Sequence, residues 1–269
     1  MSSKRIIIAL LLLSPVALSV SCGGKEEVPV GPADAPSGPL WKPTGNEGNI
    51  TGSIAFTGEA PAARKLDTSN DSKCGEVMLD DVAVSDGKLQ NVFVYVKGGL
   101  PQASFETPAT EVTLDQKGCK FTPRVIGVQT GQMLSILNSD STNHNVHPIP
   151  KFNREWNESQ LAGQGPIKRK FPKQELLIPV KCNQHAWMTA FIGVMGHPFF
   201  AVSDAAGSFT IKGLPPGEYE IEAWHEKFGA KTMKVKVEAK ADAKADFSFD
   251  AATAYHTGSL KMQPAMVIP

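Results

Sequence analysis

The chain has 269 residues, enough for one large or two modest domains plus tails, and its hydrophobic fraction of 41% is sufficient for a packed core. Its 27 basic and 27 acidic residues cancel, and no basic stripe interleaved with aromatics appears, which excludes nucleic acid as a partner. Glycine (24) and proline (20) are a little above ordinary usage and no long segment carries a 3.6-residue apolar period, so the fold class expected is all-β.

Lys4 and Arg5 precede an apolar run from Ile6 to Val20 that ends among the small residues Ser19 and Ser21. A charged start, an apolar middle and a small-residue exit predict a secretion signal over residues 1–21. The run is too short, and too abruptly followed by Cys22-Gly23-Gly24, for a membrane-spanning helix. Leu18-Ser19-Val20-Ser21-Cys22 resembles the lipobox of bacterial lipoproteins, which implies acylation of Cys22 and attachment to the inner or outer membrane on the periplasmic side. Ser19 stands where the lipobox has leucine, so simple cleavage before Cys22 is the alternative. Loss of Lys4 and Arg5 with the signal leaves the mature chain close to neutral. Residues 22–47 carry Pro29, Pro32, Pro36, Pro39 and Pro43 without apolar periodicity, and read as an extended linker.

Asn91-Val92-Phe93-Val94-Tyr95-Val96 is apolar on both faces and must be covered on both. Further on, Gly131–Asn138 leads into His144-Asn145-Val146-His147, and Leu176–Lys181 runs straight into Cys182-Asn183-Gln184-His185-Ala186-Trp187-Met188. One cysteine, two histidines and a methionine are the donors of a blue-copper centre, in which a thiolate and two imidazoles form a plane with a weak axial thioether. A strand that delivers Cys182 to a sandwich end, followed by a tight loop returning His185 and Met188 to the same point, is a spacing that suits one ion.

The pattern Cys182-x2-His185-x2-Met188, preceded by His144-Asn145-Val146-His147, resembles the amicyanin-type cupredoxins over roughly residues 110–198. The resemblance implies a Greek-key β-sandwich over 105–198 holding one type 1 copper ion through His144, Cys182, His185 and Met188. It selects His144 over His147 as the ligand and gives Asn145 the task of tying the two ligand loops together, with His147 and Trp187 just outside the ligand set. It also implies that His185 lies nearest the surface, ringed by Ala186, Trp187, Pro148, Ile149 and Pro150, as a port for a redox partner such as a c-type cytochrome or a periplasmic oxidoreductase. The polar stretch 151–165 departs from the family and reads as an extra loop near the copper. Zinc is the competing metal, since it accepts thiolate and imidazole, although a thioether favours copper. A catalytic Cys–His pair would need an orienting third group and would leave His144 and Met188 without a role.

With Cys22 assigned to lipid and Cys182 to copper, Cys74 and Cys119 remain, and in an oxidising compartment they are expected to form a disulfide; two buried thiols are the alternative.

Beyond Phe199 the alternation is clear in Glu218–Trp224 and Thr232–Glu238, separated by the turn signals of Gly213–Gly217 and Phe228-Gly229. The stretch 201–249, with Gly213-Leu214-Pro215-Pro216-Gly217-Glu218-Tyr219 and Trp224-His225, resembles the carboxypeptidase-regulatory or transthyretin-like domains, small antiparallel β-sandwiches. The resemblance implies that such a domain opens with a Gly-x-Val-x-Gly strand and a strand of alternating valines, which Gly48-Asn49-Ile50-Thr51-Gly52-Ser53-Ile54 and Asn91-Val92-Phe93-Val94-Tyr95-Val96 resemble far upstream. The sandwich therefore reads as discontinuous, 48–104 plus 199–250, with 105–198 inserted; a continuous cupredoxin followed by a separate sandwich is the rival arrangement. His197 and His225 read as structural, and the tail 251–269, with His256, carries no signal. The function expected is single-electron transfer without bond chemistry, hence no enzyme. The alternatives are an exported protein- or carbohydrate-binding module, with Trp224 or Trp156 stacking weakly on sugar, or a copper-handling protein that stores or delivers the metal.

Overall fold

Period-two burial runs through the long strands. In Gly217–His225 the side chains of Tyr219, Ile221, Ala223 and His225 are buried while their neighbours are not, and Ser208–Leu214 buries Phe209 and Ile211 in the same manner before the period breaks at Leu214. The computed structural model describes residues 38–79 and 81–252, and over these the protein is all-β, with a short 3-10 turn at Ser72–Cys74. The signal segment, Cys22, most of the linker and the tail beyond Ala252 lie outside the described residues.

Five sheets are present among the described residues, and the four larger ones stack with three apolar layers between them, the fifth being the two-stranded Arg64–Lys65/Met78–Leu79 pair. The first sheet is built on Gly48–Thr57, flanked by Ser208–Leu214 and Lys88–Leu89, with Asp242–Lys244 and Phe247–Asp250 running parallel to it. The second orders Phe200–Val202, Phe93–Gly98, Gly217–His225 and Gly229–Val237. Ile50, Ile54, Phe209 and Phe249 of the first meet Val94, Val96, Ile221 and Val237 of the second. The third sheet orders Glu158–Gln160, His144–Pro148, Glu175–Lys181, Thr189–Met195 and Val125–Gln129. The fourth orders Ile167–Arg169, Leu134–Asn138, Val112–Gln116 and Phe121–Thr122. Val146, Ile178, Val180 and Ile192 of the third face Leu114, Leu134 and Ile136 of the fourth, forming the core under the candidate site.

Phe93–Gly98 lies between two cores. Val94 and Val96 point into the first apolar layer, whereas Phe93 and Tyr95 point the other way, onto Val125 and Met195 of the third sheet. This strand is covered on both faces, as its apolar alternation requires. The sheets approach closely here because Gly127 and Gly193 leave room for rings: a Cβ at Gly193 would stand 2.5 Å from Phe93 Cζ, and one at Gly127 2.3 Å from Phe200 Cε2. Around residues 99–107 and 196–199, where the chain passes between the two pairs of sheets, Phe105 and Phe199 stack edge to face at 5.2 Å, with Trp41 5.9 Å from Phe105. Trp41 N–H also donates to Ser104 O (2.8 Å) and Ser104 N–H to Pro39 O (3.1 Å). Residues 39–41, read from sequence as linker, are therefore fastened to the fold, because an aromatic ring within that proline-rich stretch finds an apolar seat.

The stretch 151–165, read as a loop, includes a strand. Glu158–Gln160 pairs antiparallel with His144–Val146. Gln160 is wholly buried, donating through Nε2 to Ile136 O and Gly165 O and accepting at Oε1 from Gln116 Nε2. The Glu175 carboxylate gathers the N–H groups of Lys151, Phe152 and Asn153, which folds this segment back along the ligand strand.

Candidate metal centre

Three strand ends converge at one edge of the third and fourth sheets. His144 opens the strand His144–Pro148 and faces inward, because alternation buries it with Val146 on the core side. Cys182 follows directly on Glu175–Lys181, and the chain then turns back into Thr189–Met195. The loop between them is closed by its own backbone: Cys182 N–H donates to Met188 O (3.2 Å) and Met188 N–H to His185 O (2.9 Å). Those two bonds bring Met188 back beside Cys182 and tuck His185 inward, while Asn183, Gln184 and Ala186 stay at the exposed tip. A bulge at Leu176–Leu177, with Leu177 at φ +58°, interrupts the pairing of the ligand strand before it reaches Cys182.

The donor atoms meet. His144 Nδ1 and His185 Nδ1 are 3.0 Å apart, Cys182 Sγ is 3.7 Å from His185 Nδ1, and all three atoms lie within 4.8 Å of one another. The three residues are buried, with exposures of 0% for His144, 2% for Cys182 and 3% for His185. Met188 is buried in the same core cluster as Cys182.

The outer nitrogens decide what the inner ones are. His144 Nε2 is 2.9 Å from Asp140 Oδ2, and His185 Nε2 is 3.2 Å from Asp71 Oδ2. A carboxylate only accepts, so each ring carries a proton on Nε2 and turns Nδ1 toward the other ring. Two Nδ1 atoms 3.0 Å apart need a cation between them, either a shared proton or a metal ion. The separations of 3.0 and 3.7 Å are those that an ion bonded at about 2.0–2.3 Å to imidazole nitrogen and thiolate would impose. The donor set therefore fits a metal ion that accepts two imidazoles and a thiolate. Burial pushes His144 below the ordinary imidazole value, with the Asp140 hydrogen bond opposing it. The Thr142 hydroxyl holds the Asp71 carboxyl below the usual carboxylate range, assisted by Lys73 N–H and His185.

Asn145 bonds both sides of the loop. Its Oδ1 accepts from Asn183 N–H (2.7 Å) and from the Cys182 thiol (3.4 Å), and its Nδ2 donates to Asn157 Oδ1 (2.7 Å). Trp187 lies 5.2 Å from the His185 ring and donates through Nε1 to Cys119 O (3.0 Å). His147 stands apart from the donor cluster, between Asn183 Oδ1 (3.2 Å) and Glu155 Oε1 (2.7 Å).

His185 is the most exposed of the four candidate ligands, but at only 3%, and the open apolar port expected around it is covered. The segment Thr68–Glu76 folds over it, with Asp71 on its outer nitrogen and the disulfide Cys74–Cys119 fastening the cover. The disulfide itself forms as expected from the cysteine count, with Cα atoms 5.4 Å apart. Sequence reasoning missed both carboxylates. Asp140, four residues before His144 in a turn, had a local signal; Asp71, more than seventy residues upstream, had none.

No family model matches the chain, and no curated protein matches it. Among solved structures, a copper-containing nitrite reductase from Thermus scotoductus SA-01 is similar at 16% identity and a TM-score of 0.30, the match covering 52% of this chain and 28% of the reductase. A purple cupredoxin from Nitrosopumilus maritimus is 16% identical with a TM-score of 0.27, over 31% of this chain and 98% of that one. An oxidised amicyanin variant is 15% identical with a TM-score of 0.29, over 38% of this chain and 97% of that one.

Proposed function

We propose that the protein is an exported single-electron carrier whose buried centre holds one copper ion through His144, Cys182, His185 and Met188. The observation that carries this reading is the pair of facing Nδ1 atoms 3.0 Å apart, each ring fixed by a carboxylate on its far side and joined by a free, buried cysteine. Copper, when bound, supplies a one-electron couple that thiolate and imidazole donors suit in both oxidation states. The residues do the rest. Asp140 and Asp71 hold the two rings in the tautomer that presents Nδ1 inward. Asn145 fixes the Cys182 loop through Asn183 N–H, and the reciprocal bonds between Cys182, His185 and Met188 keep the loop closed. A rigid, dry cage limits movement of the donors when charge changes. No bond-making chemistry is part of the proposal.

The proposed location is the periplasmic side of a membrane, by way of an acylated Cys22, and the proposed partner is a redox protein such as a c-type cytochrome. With His185 covered by Asp71 and its loop, docking falls to the exposed tip at Asn183, Gln184 and Ala186, whose chain is continuous with the thiolate at Cys182.

Copper(II) added to the mature protein is expected to produce an intense thiolate-to-copper absorption band that bleaches and returns over one electron in a potentiometric titration. Cys182→Ser is expected to abolish the band. A colourless protein that prefers zinc, or a band that survives Cys182→Ser, contradicts the reading.

A further inference from the structure

The centre has a neighbour made of the same kind of atoms. The sulfurs of Cys74 and Cys119 and a ring nitrogen of His185 all lie within 4.8 Å of one another, and all three residues are buried. His185 thus belongs to two donor sets at once, one with His144 and Cys182 and one with the disulfide pair. We infer that the reduced form of Cys74–Cys119 is a second, thiol-gated site for a soft monovalent metal ion, completed by His185. The inference rests on the copper reading only in the choice of probe ion.

What makes the second set a site is that its sulfurs are held in place by bonds other than the one between them. Cys119 is fixed through its backbone: Gly118 N–H and Cys119 N–H donate to the Asp140 carboxylate at 2.6 and 2.8 Å, and Cys119 O accepts from Trp187 Nε1 at 3.0 Å. Cys74 ends a 3-10 turn capped by Asp71, whose carboxylate accepts from Lys73 N–H (3.0 Å), from the Thr142 hydroxyl and from His185 Nε2 (3.2 Å). Lys73 Nζ adds a bond to Ser141 O at 3.1 Å. None of these bonds involves either sulfur, so opening the disulfide breaks none of them directly. Two thiols and an imidazole then share one small volume, a donor set that favours soft ions such as copper(I).

The gating step balances simply. A dithiol reductant gives two electrons and two protons to the Cys74–Cys119 bond, becoming a disulfide itself and leaving two thiols on this chain. Binding of the ion then displaces thiol protons to solvent. Both cysteines sit in surface turns: Ser72, Lys73 and Gly75 flank one, Lys117 and Gly118 the other, and these neighbours are exposed. A reductant therefore needs only a local opening to reach them. Because the imidazole is common to both sets, occupation of the second competes with the first for His185, which links the thiol state of the chain to its hold on metal.

The test uses the mature chain carrying both Cys182→Ser and His144→Ala, in which the first set has lost its thiolate and one of its two imidazoles, under anaerobic conditions with copper(I) delivered from a chromogenic chelator. With the disulfide intact, no tight binding is expected. After treatment with a dithiol and its removal, one equivalent is expected, and mass spectrometry should show Cys74 and Cys119 protected from alkylation by the ion. His185→Ala in the same background is expected to weaken binding by about tenfold or more. Circular dichroism of the reduced chain checks that the strands persist. The inference is overturned if the folded, reduced chain takes up no copper(I), if uptake leaves the two cysteines open to alkylation, or if it is indifferent to His185. Failure of the copper(II) band in the intact chain would instead count against the first reading alone.

Discussion

Asp71 and Asp140 each accept from the Nε2 of one histidine, so an Asn in either place presents an amide that can donate as well as accept. The tautomer lock is then lost while volume is kept. Asp71→Asn is expected to lower metal affinity by about 10–100-fold while keeping the visible band, since the ligands themselves remain. Competition against a chelator of known affinity measures this; unchanged affinity would mean that the carboxylate only packs. At this scale the donors were legible in the sequence because they lie in two short stretches, and Cys182, His185 and Met188 sit within one tight loop. The carboxylate from residue 71 was not legible, since its approach depends on a disulfide and on a hydrogen bond from Thr142, both of which are products of tertiary folding.

The strands that carry the site owe their position to the layer beneath them. Gly193 lies in Thr189–Met195, the strand that leaves the ligand loop, and the Phe93 ring occupies the space a side chain would take. Phe93 is fully buried and stacks on Phe200 at 5.7 Å, so it has little freedom to withdraw. Gly193→Ala is expected to destabilise the fold by about 1–3 kcal/mol through overpacking. Urea unfolding would record a lower midpoint, and a neutral result would show that the sheets part freely. The long alternating strands were legible because period-two burial is written directly in residue order. The edge strand Glu158–Gln160 was not, because it is polar and is held by Gln116, Ile136 and Gly165, contacts that lie far along the chain or depend on a turn. The parallel pairing of Gly48–Thr57 with Asp242–Lys244 and Phe247–Asp250 had no local signal either.

The two pairs of sheets meet through apolar rings and an ion pair that is largely buried. Arg124, just before Val125–Gln129, grips Glu226, just after Gly217–His225, with a further bond to Thr189. Two histidines are buried in the fold, His197 beside Phe105 and Phe199 and His225 beside Phe228 and Phe249. His197 takes a hydrogen bond at Nδ1 from Phe199 N–H, and His225 one at Nδ1 from Lys227 N–H, so both rings are held neutral. Burial depresses His197 to about 4 and His225 to about 3, the latter with help from the positive charge of Arg124. An unfolded chain binds these protons near 6.5, so between about pH 6.5 and 4 the unfolded state carries more protons than the folded one. Stability is therefore complete above that window and falls as pH drops through it, by up to about 1.4 kcal/mol per pH unit for each ring. Unfolding midpoints measured from neutral to mildly acidic pH should show this slope, and replacing both histidines with glutamine should flatten it. A slope unaltered by those replacements would place the acid sensitivity elsewhere.

X-ray absorption at the copper edge of the loaded protein, taken in both oxidation states, tests the central claim most directly. The account predicts two nitrogen neighbours and one short sulfur neighbour in each state, with the sulfur lost in Cys182→Ser. A shell of oxygen and nitrogen alone, or one that rebuilds itself between the two states, would contradict it.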